Sequence, residues 1–271
     1  MKDLYYGLAS GSTGNSGLLV LDNICLLIDV GISVRRLKGL LETFGLTIAD
    51  LDAILITHEH TDHIKGLATL IKNYQTPIYT ACGTADVLLA KYPNIRDQLR
   101  PFYHGAAFEI GGVKVQSFPT PHDAADSVGY RLTGSRISFG YLTDLGFVSA
   151  AVREAMLGCD AAVLESNHDP DMLRNGPYPY HLQERVSGPR GHLSNFECAR
   201  FAVELAREGA EQLILSHLSD KNNTPAMAQM ETEAALMADR LHCAMYIAPK
   251  NEMTGPVWLQ GKEDTVCYPS A

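Results

Sequence analysis

The stretch Ala53-Ile54-Leu55-Ile56-Thr57-His58-Glu59-His60-Thr61-Asp62-His63 joins a short apolar run to a polar cluster. Ala53 to Thr57 has the length and composition of a buried strand. It runs straight into three imidazoles and a carboxylate within six residues, His58, His60, Asp62 and His63. Imidazole suits zinc and other first-row divalent ions, and the carboxylate adds negative charge and an oxygen donor. The chain has only ten histidines. Three of them in six residues, directly after a buried strand, point to metal ligation rather than chance surface polarity. A loop leaving a strand end can turn alternate side chains toward two neighbouring metal positions.

Four local residues cannot close two metal sites, so further ligands are expected at other strand ends. The candidates are His122 in Pro119-Thr120-Pro121-His122-Asp123, Asp144 in Tyr141-Leu142-Thr143-Asp144, and His217 in Leu213-Ile214-Leu215-Ser216-His217. Each follows a strand-like run. Alone, each reads equally well as a polar residue ending a strand; the set of them carries the weight.

The rest of the chain alternates strands and helices. Leu18 to Leu21 and Ile24 to Val30 read as strands joined by an Asp22-Asn23 turn. Ser33 to Phe44 reads as a helix capped by Ser33 and stopped by Gly45. Ile64 to Tyr74 and Thr84 to Tyr92 read as helices around a Pro77 to Thr80 strand. The middle turns to β, with strands at Phe108 to Ile110, Val113 to Phe118, Val128 to Thr133 and Arg136 to Leu142. A helix at Ala150 to Leu157 and a strand at Ala161 to Glu165 follow. Ser194-Asn195-Phe196-Glu197 is a capping box opening a helix to about Glu208. A strand at Gln212 to Ser216, a helix opened by Thr224-Pro225 and a strand at Ala244 to Ala248 complete the pattern. This order, β-rich then α twice over, fits two sheets packed face to face with helices outside.

Bulk properties narrow the classes. The 271 residues suit one large α/β domain spanning 1–271. A net charge of -9 argues against loose, non-specific coating of nucleic acid. It does not exclude a nuclease, because bound cations can face a phosphate inside an acidic protein. Cys25, Cys82, Cys159, Cys198, Cys243 and Cys267 form no CxxC pair and read as scattered buried thiols of a reducing compartment. No apolar leader or membrane span is evident, so a cytoplasmic location is expected.

The ordered set HxHxDH, His, Asp, His resembles the metallo-β-lactamase superfamily over most of the chain. The resemblance implies an αββα sandwich of two mixed β-sheets with outer helices, and metals at one edge between the sheets. It assigns His58, His60 and His122 to a first ion and Asp62, His63 and His217 to a second, with Asp144 bridging. Two divalent ions, Zn2+ or Mn2+, are implied, and iron also suits such donors. Position 60 is His where the flavodiiron branch favours Glu, which argues against redox di-iron chemistry. Further segments are similar to the YycJ/VicX-like branch: Ser10-Gly11-Ser12-Thr13-Gly14-Asn15-Ser16, Leu164-Glu165-Ser166-Asn167-His168-Asp169, Gly191-His192-Leu193-Ser194-Asn195, and Ser216-His217-Leu218-Ser219 with Asn222-Asn223. Members of that branch are associated with DNA exonuclease activity and DNA repair, which makes DNA the implied substrate.

These segments also have readings of their own. The Gly/Ser loop at 10–17 offers backbone N–H groups and the Ser12 and Asn15 side chains to a phosphate, or is simply a tight turn. His192 precedes the helix opened by Ser194. There it either meets an anion or protonates a leaving oxygen, or is structural. His168 is a substrate contact or an orienting partner of the ligands, and Asp123 an orienting partner of His122. Arg174, Arg185 and Arg190 either track phosphates or lie on a solvated face. His104, His181 and His242 fall outside every motif. The expected chemistry is phosphodiester hydrolysis by water activated between two ions, with Asp62 and His192 as catalytic residues. Two other functions use the same ligands: hydrolysis of a thioester, lactone or cyclic nucleotide, and regulatory binding around a structural metal.

Overall fold

The computed structural model describes residues 2–250 and 252–261. Its first half contains β1 (Leu4–Ala9), β2 (Ser16–Leu21), β3 (Ile24–Ile28), α1 (Val34–Glu42), β4 (Ala53–Leu55), α2 (Thr61–Ile64), α3 (Leu67–Asn73), β5 (Ile78–Ala81), α4 (Cys82–Lys91) and β6 (Leu99–Phe102). The second half contains β7 (Ala107–Ile110), β8 (Val113–Pro119), β9 (Val128–Thr133), β10 (Ser138–Leu142), α5 (Ala150–Met156), β11 (Ala161–Glu165), α6 (Pro170–Asn175) and α7 (Tyr180–Ser187). It continues with α8 (Asn195–Arg207), β12 (Gln212–Ser216), α9 (Pro225–Ala238), β13 (Ala244–Ile247) and β14 (Val257–Trp258).

The strands form two seven-stranded sheets, ordered β14-β1-β2-β3-β4-β5-β6 and β13-β12-β11-β10-β9-β8-β7. Each half of the chain builds one sheet, and β14 crosses back to edge the first. Both sheets are mixed. Strands β1 to β3 pair antiparallel and β3 to β6 parallel. In the other sheet β7 to β10 pair antiparallel and β10 to β13 parallel.

Period-two patterning sorts the side chains into layers. Leu19, Leu21, Leu26 and Ile28 of the first sheet meet Val115, Tyr130, Phe139 and Val163 of the second in one core. Their neighbours Leu18, Val20 and Leu27 face the opposite way and pack under Leu37, Leu41, Leu67 and Leu70 of α1 and α3. Ala162, Leu164, Leu213 and Leu215 do the same beneath Met156, Phe201, Leu205 and Leu236 of α5, α8 and α9. The result is the αββα sandwich. Strands covered on both faces read as continuous apolar runs, which is why alternation is faint in the sequence. The Tyr130 hydroxyl donates to the Ile56 carbonyl (2.6 Å) and ties the second sheet to the segment leaving β4.

Local departures from expectation have tertiary causes. Strand β3 stops at Ile28 rather than Val30, because Asp29 takes the left-handed conformation (φ 60) and turns the chain. The helix expected over Ile64 to Tyr74 is two, α2 and α3. Gly66 sits at the break, where a Cβ would lie 2.2 Å from the Ile32 carbonyl oxygen. Strands β1, β6 and β14 and helices α6 and α7 have no counterpart in the sequence expectation. The cysteines Cys25, Cys82, Cys159, Cys198 and Cys243 are free thiols, but Cys82 and Cys243 are only half-buried. Cys267 lies outside the described residues. Among the described residues no helix is long and apolar enough to cross a membrane.

Candidate metal centre

The expected ligands gather where strands end. His58 follows β4, and His60 is the N-cap of α2, whose first turn holds Asp62 and His63. His122 follows β8, Asp144 follows β10 and His217 follows β12. Asp144 and His217 adopt positive φ (60 and 57), so the chain turns away as soon as each side chain has been delivered. A non-glycine residue in that region is uncommon and tends to mark functional sites.

Donor atoms of His58, His60 and His122 lie within 4.8 Å of one another, as do those of His58, His63 and Asp144, and those of Asp62, His63 and His217. In tetrahedral coordination, bonds of about 2.0–2.2 Å put neighbouring donors about 3.3–3.6 Å apart. The observed separations fall around that range. Asp62 Oδ2 is 3.5 Å from His63 Nε2 and 3.6 Å from His217 Nε2. Asp144 Oδ2 is 3.2 Å from His63 Nε2, its Oδ1 is 3.5 Å from His217 Nε2, and His122 Nε2 is 3.3 Å from His60 Nδ1. His58 Nε2, His217 Nε2 and Asp144 Oδ2 are buried and make no hydrogen bond. Orphaned buried polar atoms are costly unless something else satisfies them. Converging imidazole nitrogens and carboxylate oxygens with unused lone pairs are a donor set that divalent cations fit.

Two further carboxylates hold this set in place. Asp29 is fully buried and accepts from the Thr57 N–H (2.8 Å), the Thr57 hydroxyl (2.9 Å) and His63 Nδ1 (2.8 Å). Glu165 is fully buried and accepts from His217 Nδ1 (2.9 Å), His192 Nδ1 (2.8 Å) and the N–H groups of Leu145 and Leu193 (3.1 Å each). With Nδ1–H so engaged, His63 and His217 present Nε2 lone pairs to the cluster. Neither carboxylate was assigned a role from sequence. A signal existed: each is a charge ending an apolar strand, and such residues are almost never fully buried unless paired.

Electrostatics couples the whole cluster. Burial opposes charge on Asp144, but His217 and His63 outweigh it and hold the carboxyl well below its usual range. Glu165 is held at about 2; burial works against ionisation and His192 and His217 overcome it. In turn, burial resists protonation of His63 and His217, yet Asp144, with Asp29 for one and Asp62 and Glu165 for the other, raises both well above the ordinary imidazole value. The carboxylates thus draw positive charge into the cluster. A divalent cation meets the same demand while requiring neutral imidazoles.

Asp29→Asn should leave the shape intact and remove the charge that fixes the His63 tautomer. The expected outcome is a tenfold to hundredfold loss of metal affinity, read by titrating the metal-free variant with Zn2+ or Mn2+. An affinity equal to wild type would deny Asp29 this orienting role.

A cavity of about 170 Å3 adjoins the cluster, with Ser12, Asp123, Asn167, Arg185, His192 and His217 among its lining residues. Ser12 and His192 therefore stand on the wall where substrate contacts are expected. Asn15 does not. It is buried, its Oδ1 accepts from the Gly11 N–H (2.7 Å) and its Nδ2 donates to Asp62 Oδ2 (3.1 Å), so it braces the ligands from beneath. His168 is also buried away from this cavity and lines a second cleft. His122 Nδ1 donates to the Gly191 carbonyl (3.1 Å), so a backbone oxygen, rather than Asp123, orients that ring. Asp123 instead accepts from Arg185 Nε (2.8 Å) across the cavity. Arg190 donates to the His122 carbonyl (3.1 Å), and exposed Arg174 pairs with Asp171. His104, His181 and His242 are exposed, His104 being 3.1 Å from Asp126.

A two-sheet αββα sandwich with this cluster at its strand ends defines a metal-dependent hydrolase of the metallo-β-lactamase fold. The family profile of the beta-lactamase superfamily domain matches residues 25–218, and the chain belongs to that superfamily. It is 36% identical to the exodeoxyribonuclease YycJ of Bacillus anthracis over 230 residues, 84% of this chain and 87% of that one. It is 36% identical to the exodeoxyribonuclease WalJ of Streptococcus pneumoniae over 229 residues, 83% of this chain and 85% of that one. Among solved structures, the metallo-beta-lactamase fold protein YhfI of Bacillus subtilis superposes with a TM-score of 0.68 at 18% identity. That match covers 93% of this chain and all of the other, and is a likeness of fold.

Proposed function

We propose that the chain is a dinuclear phosphodiesterase that degrades DNA from an end. The observation that carries this reading is that two donor sets lie on either side of Asp144, whose oxygens come within 4 Å of members of both, beside a cavity walled by Ser12, Arg185 and His192. One set is His58, His60 and His122; the other is Asp62, His63 and His217. Asp144 Oδ2 lies 3.2 Å from His63 Nε2, and its Oδ1 lies 3.5 Å from His217 Nε2 and 3.8 Å from His122 Nε2, so the carboxylate reaches members of both sets. Both Zn2+ and Mn2+ suit such mixed imidazole and carboxylate donors. Divalent ions held there would lower the pKa of water and withdraw charge from phosphoryl oxygens.

The chain's own residues supply the rest. Asp62, 23% exposed and the least buried of the carboxylate ligands, orients the attacking water. Arg185 and Ser12 receive the phosphate. His192 donates its Nδ1–H to Glu165, which leaves Nε2 to hold a proton for the leaving oxygen. The names of the two exodeoxyribonuclease relatives favour DNA and end-directed cleavage over a small ester. Free thiols accord with a cytoplasmic location.

The test is an assay with metal-reconstituted protein on linear DNA with open or blocked ends. Open ends should be degraded, blocked ends should resist, and Asp62→Ala should be inactive on both. Equal cleavage of both substrates would refute end-directed action. Turnover of a thioester or lactone with none of DNA would replace this reading with a small-molecule hydrolase.

A further inference from the structure

A second cleft of about 230 Å3 lies beside the candidate active site, with His168, Leu173, Arg174, Tyr180 and Glu184 among its lining residues. The two hollows share their walls. Along α7, Leu182, Arg185 and Val186 line the catalytic cavity, while Tyr180, Gln183, Glu184 and Ser187 line the second cleft. After β11, Asn167 lines the first and His168 the second. Helix α7 thus separates the two hollows, and a ligand that reaches both would cross it.

Resting on the phosphodiesterase reading above, we propose that this second cleft is a nucleobase subsite, holding a base of the DNA strand whose scissile phosphate lies at the metal centre.

The chemistry of the cleft selects a base over a phosphate. His168 is only 3% exposed, and its Nδ1 has no hydrogen-bond partner. Burial lowers its pKa to about 4, so the ring is neutral and offers hydrogen bonding without charge. Tyr180 is 72% exposed, and its hydroxyl donates to Glu184 Oε1 (2.6 Å), which fixes the ring. An exposed, fixed aromatic ring is a stacking surface that accepts any base. Leu173 adds an apolar wall. The cation at the rim, Arg174, is 3.1 Å from Asp171, and Glu184 adds a carboxylate. That balance repels a phosphate and leaves a flat, uncharged, hydrogen-bonding group as the matching occupant.

The experiment measures binding of fluorescent single-stranded phosphorothioate oligonucleotides of increasing length, from a dinucleotide upward, by anisotropy on the metal-loaded protein. Wild type should bind tighter as length increases. Tyr180→Ala should remove that gain, weakening the longer oligonucleotides about tenfold. Tyr180→Phe, which keeps the ring but loses its bond to Glu184, should restore most of that gain. His168→Ala should reduce the gain in the same direction. If Tyr180→Ala keeps the full gain with length, the subsite is refuted while the DNA reading stands. If wild type binds no oligonucleotide of any length, the DNA reading fails and the subsite with it.

Discussion

Asp144→Asn should reduce phosphodiester turnover by about a thousandfold or more while the protein stays folded. The Asp144 carboxylate lies between the donor sets, 3.2 Å from His63, 3.5 Å from His217 and 3.8 Å from His122. Asparagine keeps its size and tolerates the φ of 60 at which Asp144 turns the chain. What it loses is the negative charge that balances the site and one anionic donor. Charge stabilisation by bound metal is worth several kcal/mol in such reactions, and each 1.4 kcal/mol is about tenfold in rate. Rates on a DNA substrate, with thermal unfolding as the control for folding, check the effect. Retention of about a tenth of the wild-type rate would remove Asp144 from the mechanism. Asp62→Ala should behave alike, since Asp62 contacts both His63 and His217.

Chelation should abolish activity and also destabilise the fold. His58, His63, Asp144 and His217 are each at most 2% exposed, and the unpaired polar atoms of His58, Asp144 and His217 are costly without a cation. A ligand at about a thousand times its dissociation constant stabilises the folded state by about 4 kcal/mol. For a chain of this size that corresponds to a melting temperature lowered by about 10 °C when metal is stripped. Differential scanning calorimetry before and after chelation measures it. Re-addition of Zn2+ or Mn2+ should restore both stability and turnover. A melting temperature that does not move on chelation would mean that the cluster holds no tightly bound ion.

How much of this was legible in the sequence depended on how local each feature is. His58 to His63 declared themselves because four donors follow one apolar strand within six residues. His122, Asp144 and His217 were recoverable because each ends such a run, and the structure brings them to the same edge. The orienting carboxylates were harder. Asp29 meets His63 across 34 positions and Glu165 meets His217 across 52, with no periodicity to link them. The same limit hid the break between α2 and α3, which depends on Gly66 pressing against the Ile32 carbonyl. The Gly/Ser loop around Asn15 suits an anion as well as a tight turn; folded, the Asn15 amide turns inward onto Asp62. Helices α6 and α7 were missed for a different reason. They are short and polar, with Leu173 and Val186 their only buried residues, so neither shows an apolar stripe. Helix α7 walls both hollows and α6 the second, which places the least legible part of the chain next to the most legible.

The most direct test of the metal centre is elemental analysis of metal bound per chain, in wild type and in His58→Ala and His217→Ala. Wild type reconstituted with Zn2+ or Mn2+ and freed of excess should retain two ions per chain, and each variant should lose one or both. A wild-type chain that retains no ion, or variants that retain as many as wild type, would contradict the dinuclear site on which the proposed function rests.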